Sequence, residues 1–488
     1  MTRPGAPQPL TLVEAIVPIA SLVLLVALSY YLFGDAGAAG PNQIALVVAT
    51  MVAVLIGWRK GHSLESLREA AVASVGSGLG AIFILLAVGS LIGTWALSGT
   101  LIAMVYYGLQ ILSPNYFYLT ACAIAAVVSF SVGSSWTVVG TIGIGLMGIA
   151  VNMDLDPAIT AGAVISGAYL GDTTSPLSDS ANLAAAAAGV DLYQHLRETA
   201  LTSVLAVAIA LAVFWTLGQP GDFEANAKIR AIEDTFTITP WLFLPLAVVV
   251  ALALTRTPPF TAIFLGALAG GALAVFVAPE RVAALAGAGQ DLPAGLALLK
   301  GVWKALATGY VSSAGHPAID QLLTRGGMAS MLNTIWLIIT ALAFGGVVEK
   351  AGVLDRLMAP VIAAARSAGR LVASLVAAVF GTNVVTADQY IAIVLPGRMF
   401  KGAFASRGLA PVVLSRTIAA SGTPTSALIP WNSCGAYMAA TLGVATVSYL
   451  PYAIFNFASP ILAVALAYAG VRMLRAPGKA EAAPARER

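Results

Sequence analysis

The sequence predicts an all-α polytopic membrane protein with about 10–12 crossings, and three observations carry that reading. Hydrophobic residues make up 59% of the 488-residue chain and charged residues only 10%. Soluble domains hold roughly 45–50% apolar and about 25% charged residues, so this chain lacks the charges to cover a water-facing surface and needs lipid as its main solvent. Apolar runs of bilayer length recur from end to end. Polar stretches containing Pro and Gly interrupt those runs in both halves. A net charge of +3 gives no reason to invoke nucleic acid. Cys122 and Cys434 sit in apolar surroundings and read as small buried hydrophobes, not as a disulfide or metal ligands.

Arg3 followed by the apolar run 15–33 resembles a secretory leader. The run is longer than the usual 7–15 residues, roughly, of a leader's apolar core and no small-residue cleavage site follows, so it is expected to be the first transmembrane helix. Clear spans follow near 12–33, 42–58, 79–97, 115–131, 196–217, 238–255, 259–278, 329–348, 370–380 continuing to about 397, and 450–471. Shorter pieces lie at 101–113, 135–151, 158–170, 407–421 and 434–446. Arg59, Lys60 and Arg68 mark the loop 58–69 as cytoplasmic, and two crossings before it put the N-terminus inside as well. The expected organisation is a cytoplasmic segment 1–11, a first repeat 12–218, a polar linker 219–237, a second repeat 238–474 and a disordered cytoplasmic tail 475–488.

Three matches in one order suggest the duplication. FSVGSSW from Phe130 pairs with FGTNVVT from Phe380, an offset of 380 − 130 = 250. GDTTSPL from Gly171 pairs with GTPTSAL from Gly422, an offset of 251, and IGTWALSGTL ending at Leu101 pairs with GGVVEKAGVL ending at Leu354, an offset of 253. A broken helix at membrane depth survives only where it is buried in protein or lines a wet cavity. Secondary transporters use such breaks, at matching positions of two repeats, for their binding sites.

The charges fall in these breaks. Asp172 and Asp179 flank Pro176, Asp388 lies in a second-half break, and none of the three has a Lys or Arg within four positions. A carboxylate at the bilayer centre costs about 2.5–3.5 kcal/mol on insertion scales, so each needs a partner, a proton or a cavity. A site that holds either a cation or a proton is what an exchanger requires. Thr174, Ser175, Ser178 and Asn182 offer the uncharged oxygens that a hard cation prefers. Asn383, Thr425 and Asn432 are the candidates from the second half. Gly133, Ser134, Ser135, Thr137, Gly171, Gly422, Pro424 and Ser426 shape and support the breaks.

Other polar residues have ordinary readings. Ser131, Thr141 and Thr441 bond their own helices, and Asp179 has an alternative role as an N-cap. Glu14, Asp320 and Asp355 read as interfacial, Glu349 and Lys350 as boundary charges, and His62, His195 and His316 as solvated loop residues.

GAYLGDTTSPLSDSANLAAAAAGVDLYQHLR (168–197), GSSWTVVG (133–140), NVVTADQYIAIVLPGRMF (383–400) and SGTPTSALIPWNSCGAYM (421–438) together resemble the NhaC-type Na+/H+ antiporters of the ion-transporter superfamily. The resemblance spans about 45–471. It implies inverted-topology repeats, two re-entrant hairpins and an elevator-like motion in a bacterial inner membrane. It also implies that Asp172, Ser175, Asp179, Asn182, Asp388 and Asn432 lie near the ion path. Na+ is expected at Asp172 and Asp179, with Asn383 and Asp388 completing the site, no cofactor beyond transported Na+ and H+, and a homodimer as a further expectation. The family block reads Gly-Asp-Lys-(Met/Leu)-Ser-Pro, whereas this chain has Thr173 and Thr174, which removes a positive charge. Some members exchange malate and lactate, so a coupled carrier of a small carboxylate or amino acid stands as the alternative. HExxH, nucleophile-elbow, Walker and paired-cysteine motifs are absent from the sequence, which disfavours an enzyme.

Overall fold

Backbone groups in hydrocarbon must pair within their own segment, and helices do this without partners. In the computed structural model, which describes residues 7–34, 37, 40–218, 225–287, 292–313, 315, 319–320, 323–365 and 367–475, helices dominate. The only β-pairing among the described residues is two isolated bridges, Tyr310–Arg325 and Leu409–Arg475. Nine helices among the described residues are long and apolar enough to cross a membrane, or eleven if each bent pair is one span. Arg3, residues 219–224 of the expected linker, His316 and the tail from 476 lie outside the described residues.

The first two spans are tied at one end. Thr11 and Glu14 form a capping box at the start of Leu12–Phe33. Glu14 also pairs with Lys60 at 2.8 Å, beyond the end of Pro41–Arg59. The start of the first span and the basic loop therefore lie on the same side of the bundle.

Each half then repeats one motif. Phe117–Val132 ends at Gly133, whose left-handed φ of +78° turns the chain into Ser135–Asn152. Pro157–Thr174 follows, and it runs parallel to Phe117–Val132. Tyr118 Oη accepts the Asp156 N–H at 3.0 Å, the Ser129 hydroxyl donates to the Ala168 carbonyl, and Gly167 and Gly171 lie against the backbone of Cys122 and Ser129. The intervening helix must therefore run back, which makes Phe117–Asn152 a hairpin with its tip at 133–134. After Pro157–Thr174 the helix breaks at 175–178 and resumes as Asp179–Ala188. The second half has the hairpin Ala368–Thr386 and Gln389–Ser406, then the broken helix Pro411–Ser426 and Ser433–Leu442. The apolar run expected from 370 to about 397 is thus two helices.

The structure corrects the register between the halves. The left-handed residues Gly133 and Ala387, the N-caps Ser134 and Asp388, the opening prolines Pro157 and Pro411, the N-caps Ser178 and Asn432, and the left-handed C-caps Gly189 and Gly443 are all 254 residues apart (387 − 133, 388 − 134, 411 − 157, 432 − 178, 443 − 189). The sequence offsets of 250 and 251 fall three or four residues short because Gly, Ser and Thr are common enough in both halves to match out of place. The offset of 253 does recur, at left-handed Gly99 and Gly352.

One further expectation changes. His195 is not a solvated loop residue: Asp191 caps Leu192–Thr216 four residues earlier than expected, and His195 is 0% exposed with Nδ1 against the Ser415 hydroxyl. The described part of the expected linker, 225–237, contains a helix, Ala225–Thr235, held to the first half. Lys228 reaches Asp154 at 2.7 Å and the Asn152 carbonyl at 2.6 Å, and Tyr106 donates to Glu233 at 2.7 Å.

Candidate functional site at the hairpin tips and helix breaks

The parallel pairing of hairpin and broken helix brings tip and break together in each half, and the halves then meet. Gly133 lies against the Leu177–Ser178 backbone, where a Cβ would come within 2.7 Å, and the Ser433 N–H donates to the Ala387 carbonyl at 2.9 Å. Between the halves, Gln389 donates to Ser180 at 2.6 Å, and within its own half it accepts from Ser426 at 2.8 Å and from the Cys434 thiol at 3.1 Å. Trp136 stacks on Tyr437 with ring centroids 4.0 Å apart, and Tyr437 donates to the Trp136 carbonyl at 2.7 Å.

Asp172 lies in the last turn before the first break and is 4% exposed. It accepts from Ser135 at 2.5 Å and Ser178 at 3.2 Å, and Ser178 also donates to the Asp172 carbonyl at 2.6 Å. Asp179 is exposed; it accepts the Ser180 N–H at 2.9 Å and the Tyr390 hydroxyl at 2.6 Å. The N-cap of its helix is Ser178, which corrects the alternative reading of Asp179 as the cap. Asp388 is 6% exposed, caps Gln389–Ser406 and accepts the Ile391 N–H at 2.9 Å. None of the three is ion-paired among the described residues.

All three carboxylates line one cavity of about 200 Å³, together with Ser134, Trp136, Gln389 and Tyr390. Among the described residues no three His, Cys, Asp or Glu side chains are grouped to hold a metal ion, so the carboxylates ring a space instead of converging on a point. A wider vestibule of about 440 Å³ adjoins it and shares Ser134, Asp179 and Pro259 with it. Thr137, Pro176, Asn182 and Arg256 line this vestibule.

The remaining candidates fall into two groups. Ser175 is buried and accepts the Leu177 N–H at 3.2 Å, Asn182 donates to the Ser178 carbonyl at 2.6 Å, and Thr174 donates to the Leu170 carbonyl at 2.5 Å. These side chains hold the turn together. Thr173 bonds its own helix and approaches Ser203 at 3.4 Å, and it lines neither cavity nor vestibule. In the second half, Asn383 donates to the Gly422 carbonyl at 2.8 Å and to Thr425 at 3.0 Å, while Asn432 donates to Asn383 Oδ1 at 3.1 Å. The Pro424 carbonyl accepts from Asn456 at 2.8 Å. This cluster braces the second tip against the second break and lies off the cavity wall.

Sequence reasoning did not single out Trp136, Ser180, Gln389 or Tyr390. The 254-residue offset contains the signal, because it pairs Trp136 with Tyr390 and Ser135 with Gln389, immediately after the two tips (390 − 136, 389 − 135).

Comparison with known proteins supplies an independent line. A family model described as the Na+/H+ antiporter family matches residues 9–218 and 167–471. The Na+/H+ antiporter NhaC of Alkalihalophilus pseudofirmus is 36% identical over 433 residues, covering 88% of this chain and 90% of its own. The malate-2H+/Na+-lactate antiporter of Bacillus subtilis is 33% identical over 466 residues, 94% and 95% of the two chains. The arginine/ornithine antiporter ArcD of Halobacterium salinarum is 32% identical over 474 residues, 94% and 92%.

Proposed function

The chain belongs to the Na+/H+ antiporter family, and we propose that Na+ and H+ compete for Asp172 and Asp179 in the central cavity. The observation that carries this is the set of three carboxylates without ion pairs on one cavity wall in a membrane-spanning fold. A buried carboxylate is strongly disfavoured unless it holds a proton or a cation. With Na+ absent, the Ser135 and Ser178 hydroxyls donate to Asp172. With Na+ present they rotate and turn their lone pairs to the ion, adding to the carboxylate the oxygens that a hard cation prefers. Tyr390 holds Asp179 at the junction with the vestibule, and Asp388 contributes charge from the second half. One site that takes either ion gives exchange without a separate coupling device.

Alternating access follows if the two hairpins and two broken helices move as a unit against the remaining spans in an elevator-like step, with repeats at 12–218 and 238–474 of inverted topology. The setting is a bacterial cytoplasmic membrane with both termini inside. The test is a proteoliposome assay with a trapped pH dye. Asp172→Asn and Asp179→Asn proteins that insert normally are expected to lose the Na+-dependent pH change, and its persistence in both would overturn the reading.

A further inference from the structure

The central cavity is much larger than its proposed ion needs. Room for a single water is roughly 10–15 Å³ on the same measure, and this cavity holds about 200 Å³. Its wall is chemically divided. Asp172, Asp179 and Asp388 supply acceptors, while Trp136, Ile84 and Ala81 supply aromatic and aliphatic surface. No Lys or Arg lines it among the described residues. Oxygen ligands alone suffice for a bare metal ion, whereas an aromatic and aliphatic wall beside carboxylates matches an ammonium group on a carbon stem. The ammonium offers three N–H donors to the acids and a cation to the indole ring.

The adjoining vestibule adds a basic group to the Asp179 that it shares with the cavity. Arg256 lines it, is exposed, and sits in a left-handed backbone conformation (φ +62°) between two spans. No acid pairs with it among the described residues. The vestibule and the cavity adjoin at Ser134, Asp179 and Pro259, the residues common to both walls. The two adjoining spaces therefore present three carboxylates on the cavity wall and a free guanidinium on the vestibule wall.

We propose that this pair of spaces binds an amino-acid-like zwitterion, with its ammonium among Asp172, Asp179 and Asp388 and its carboxylate at Arg256. The proposal rests on the exchange reading above, because the ligand's ammonium and Na+ occupy the same carboxylates and exclude each other. Arginine adds a planar, bidentate match to a carboxylate that a bare inorganic cation leaves unused.

Calorimetric titration of the purified full chain tests it without any transport step. The probes are 5-aminopentanoate, n-butylammonium and butyrate, with glycine to 6-aminohexanoate as a length series. The expected result is that 5-aminopentanoate binds, that Na+ displaces it, and that it binds at least about tenfold tighter than n-butylammonium. Arg256→Gln should abolish that advantage, and Arg256→Lys should restore part of it. The proposal is overturned if no ω-amino acid binds, if Na+ does not displace it, or if Arg256→Gln leaves the advantage intact. Na+-driven proton flux in liposomes is measured on the same preparation. Flux without zwitterion binding overturns this proposal alone. Binding without flux overturns the exchange reading alone.

Discussion

The two halves of the molecule share a backbone and differ in where they carry charge. At the 254-residue offset Asp172 corresponds to Ser426 and Ser134 to Asp388 (426 − 172, 388 − 134). One hydrogen bond is preserved across the change: Ser135 donates to Asp172 in the first half, and Ser426 donates to Gln389 in the second. The same two positions face each other, but the hydroxyl has moved to the opposite partner. A second bond is kept with longer reach, since Ser129 donates to the Ala168 carbonyl and Asn383 to the Gly422 carbonyl. The two halves have the same crossing geometry and differ in which corner of it is negative.

The largest effect should come from moving the charge between equivalent corners. Asp172→Ser combined with Ser426→Asp keeps the number of carboxylates, yet Na+-dependent proton flux should fall about 100-fold or more, as when one partner of a buried charged contact is removed. Full activity in the double variant would show the halves to be interchangeable.

Next comes Gly133→Ala. Its left-handed φ and the Leu177–Ser178 backbone both resist a Cβ, so thermal unfolding in detergent should report a loss of about 2 kcal/mol. Tyr390→Phe removes one hydroxyl from Asp179 and should change apparent Na+ affinity about tenfold. The position matching Gly133 is Ala387, held at φ +57°. Ala387→Gly should therefore stabilise, by only about 0.5 kcal/mol, because glycine's extra freedom in the unfolded chain offsets part of the relieved strain. A loss there equal to that of Gly133→Ala would mean that the two tips are built differently.

Much of this was legible in the sequence. The spans follow from hydropathy, and the breaks at 175–178 and 427–432 follow from Pro and polar runs between apolar ones. The carboxylates Asp172, Asp179 and Asp388 stood out because charge in such surroundings is rare. The register did not, since it is set by cap and turn residues spaced along the chain and not by local similarity of Gly- and Ser-rich strings. His195 reads as a loop residue because hydropathy starts the span only at 196, whereas Asp191 caps the Tyr193 and Gln194 N–H groups and starts the helix at 192. Gln389 and Tyr390 were hidden for another reason: their partners, Ser180 and Asp179, are 209 and 211 residues away.

Asp179 stands on the wall of both the vestibule and the cavity, and this has a consequence for traffic. If Asp172 and Asp179 hold the ion as proposed, one arriving from the vestibule meets Asp179 before Asp172, because only Asp179 lines both spaces, and arrivals should queue. At high Na+ on the vestibule side a second ion can wait at the doorway behind the first and block its exit, and turnover should then slow as Na+ rises. A dose–response curve that bends downward is the signature of such a doorway, whereas a single isolated site would only saturate.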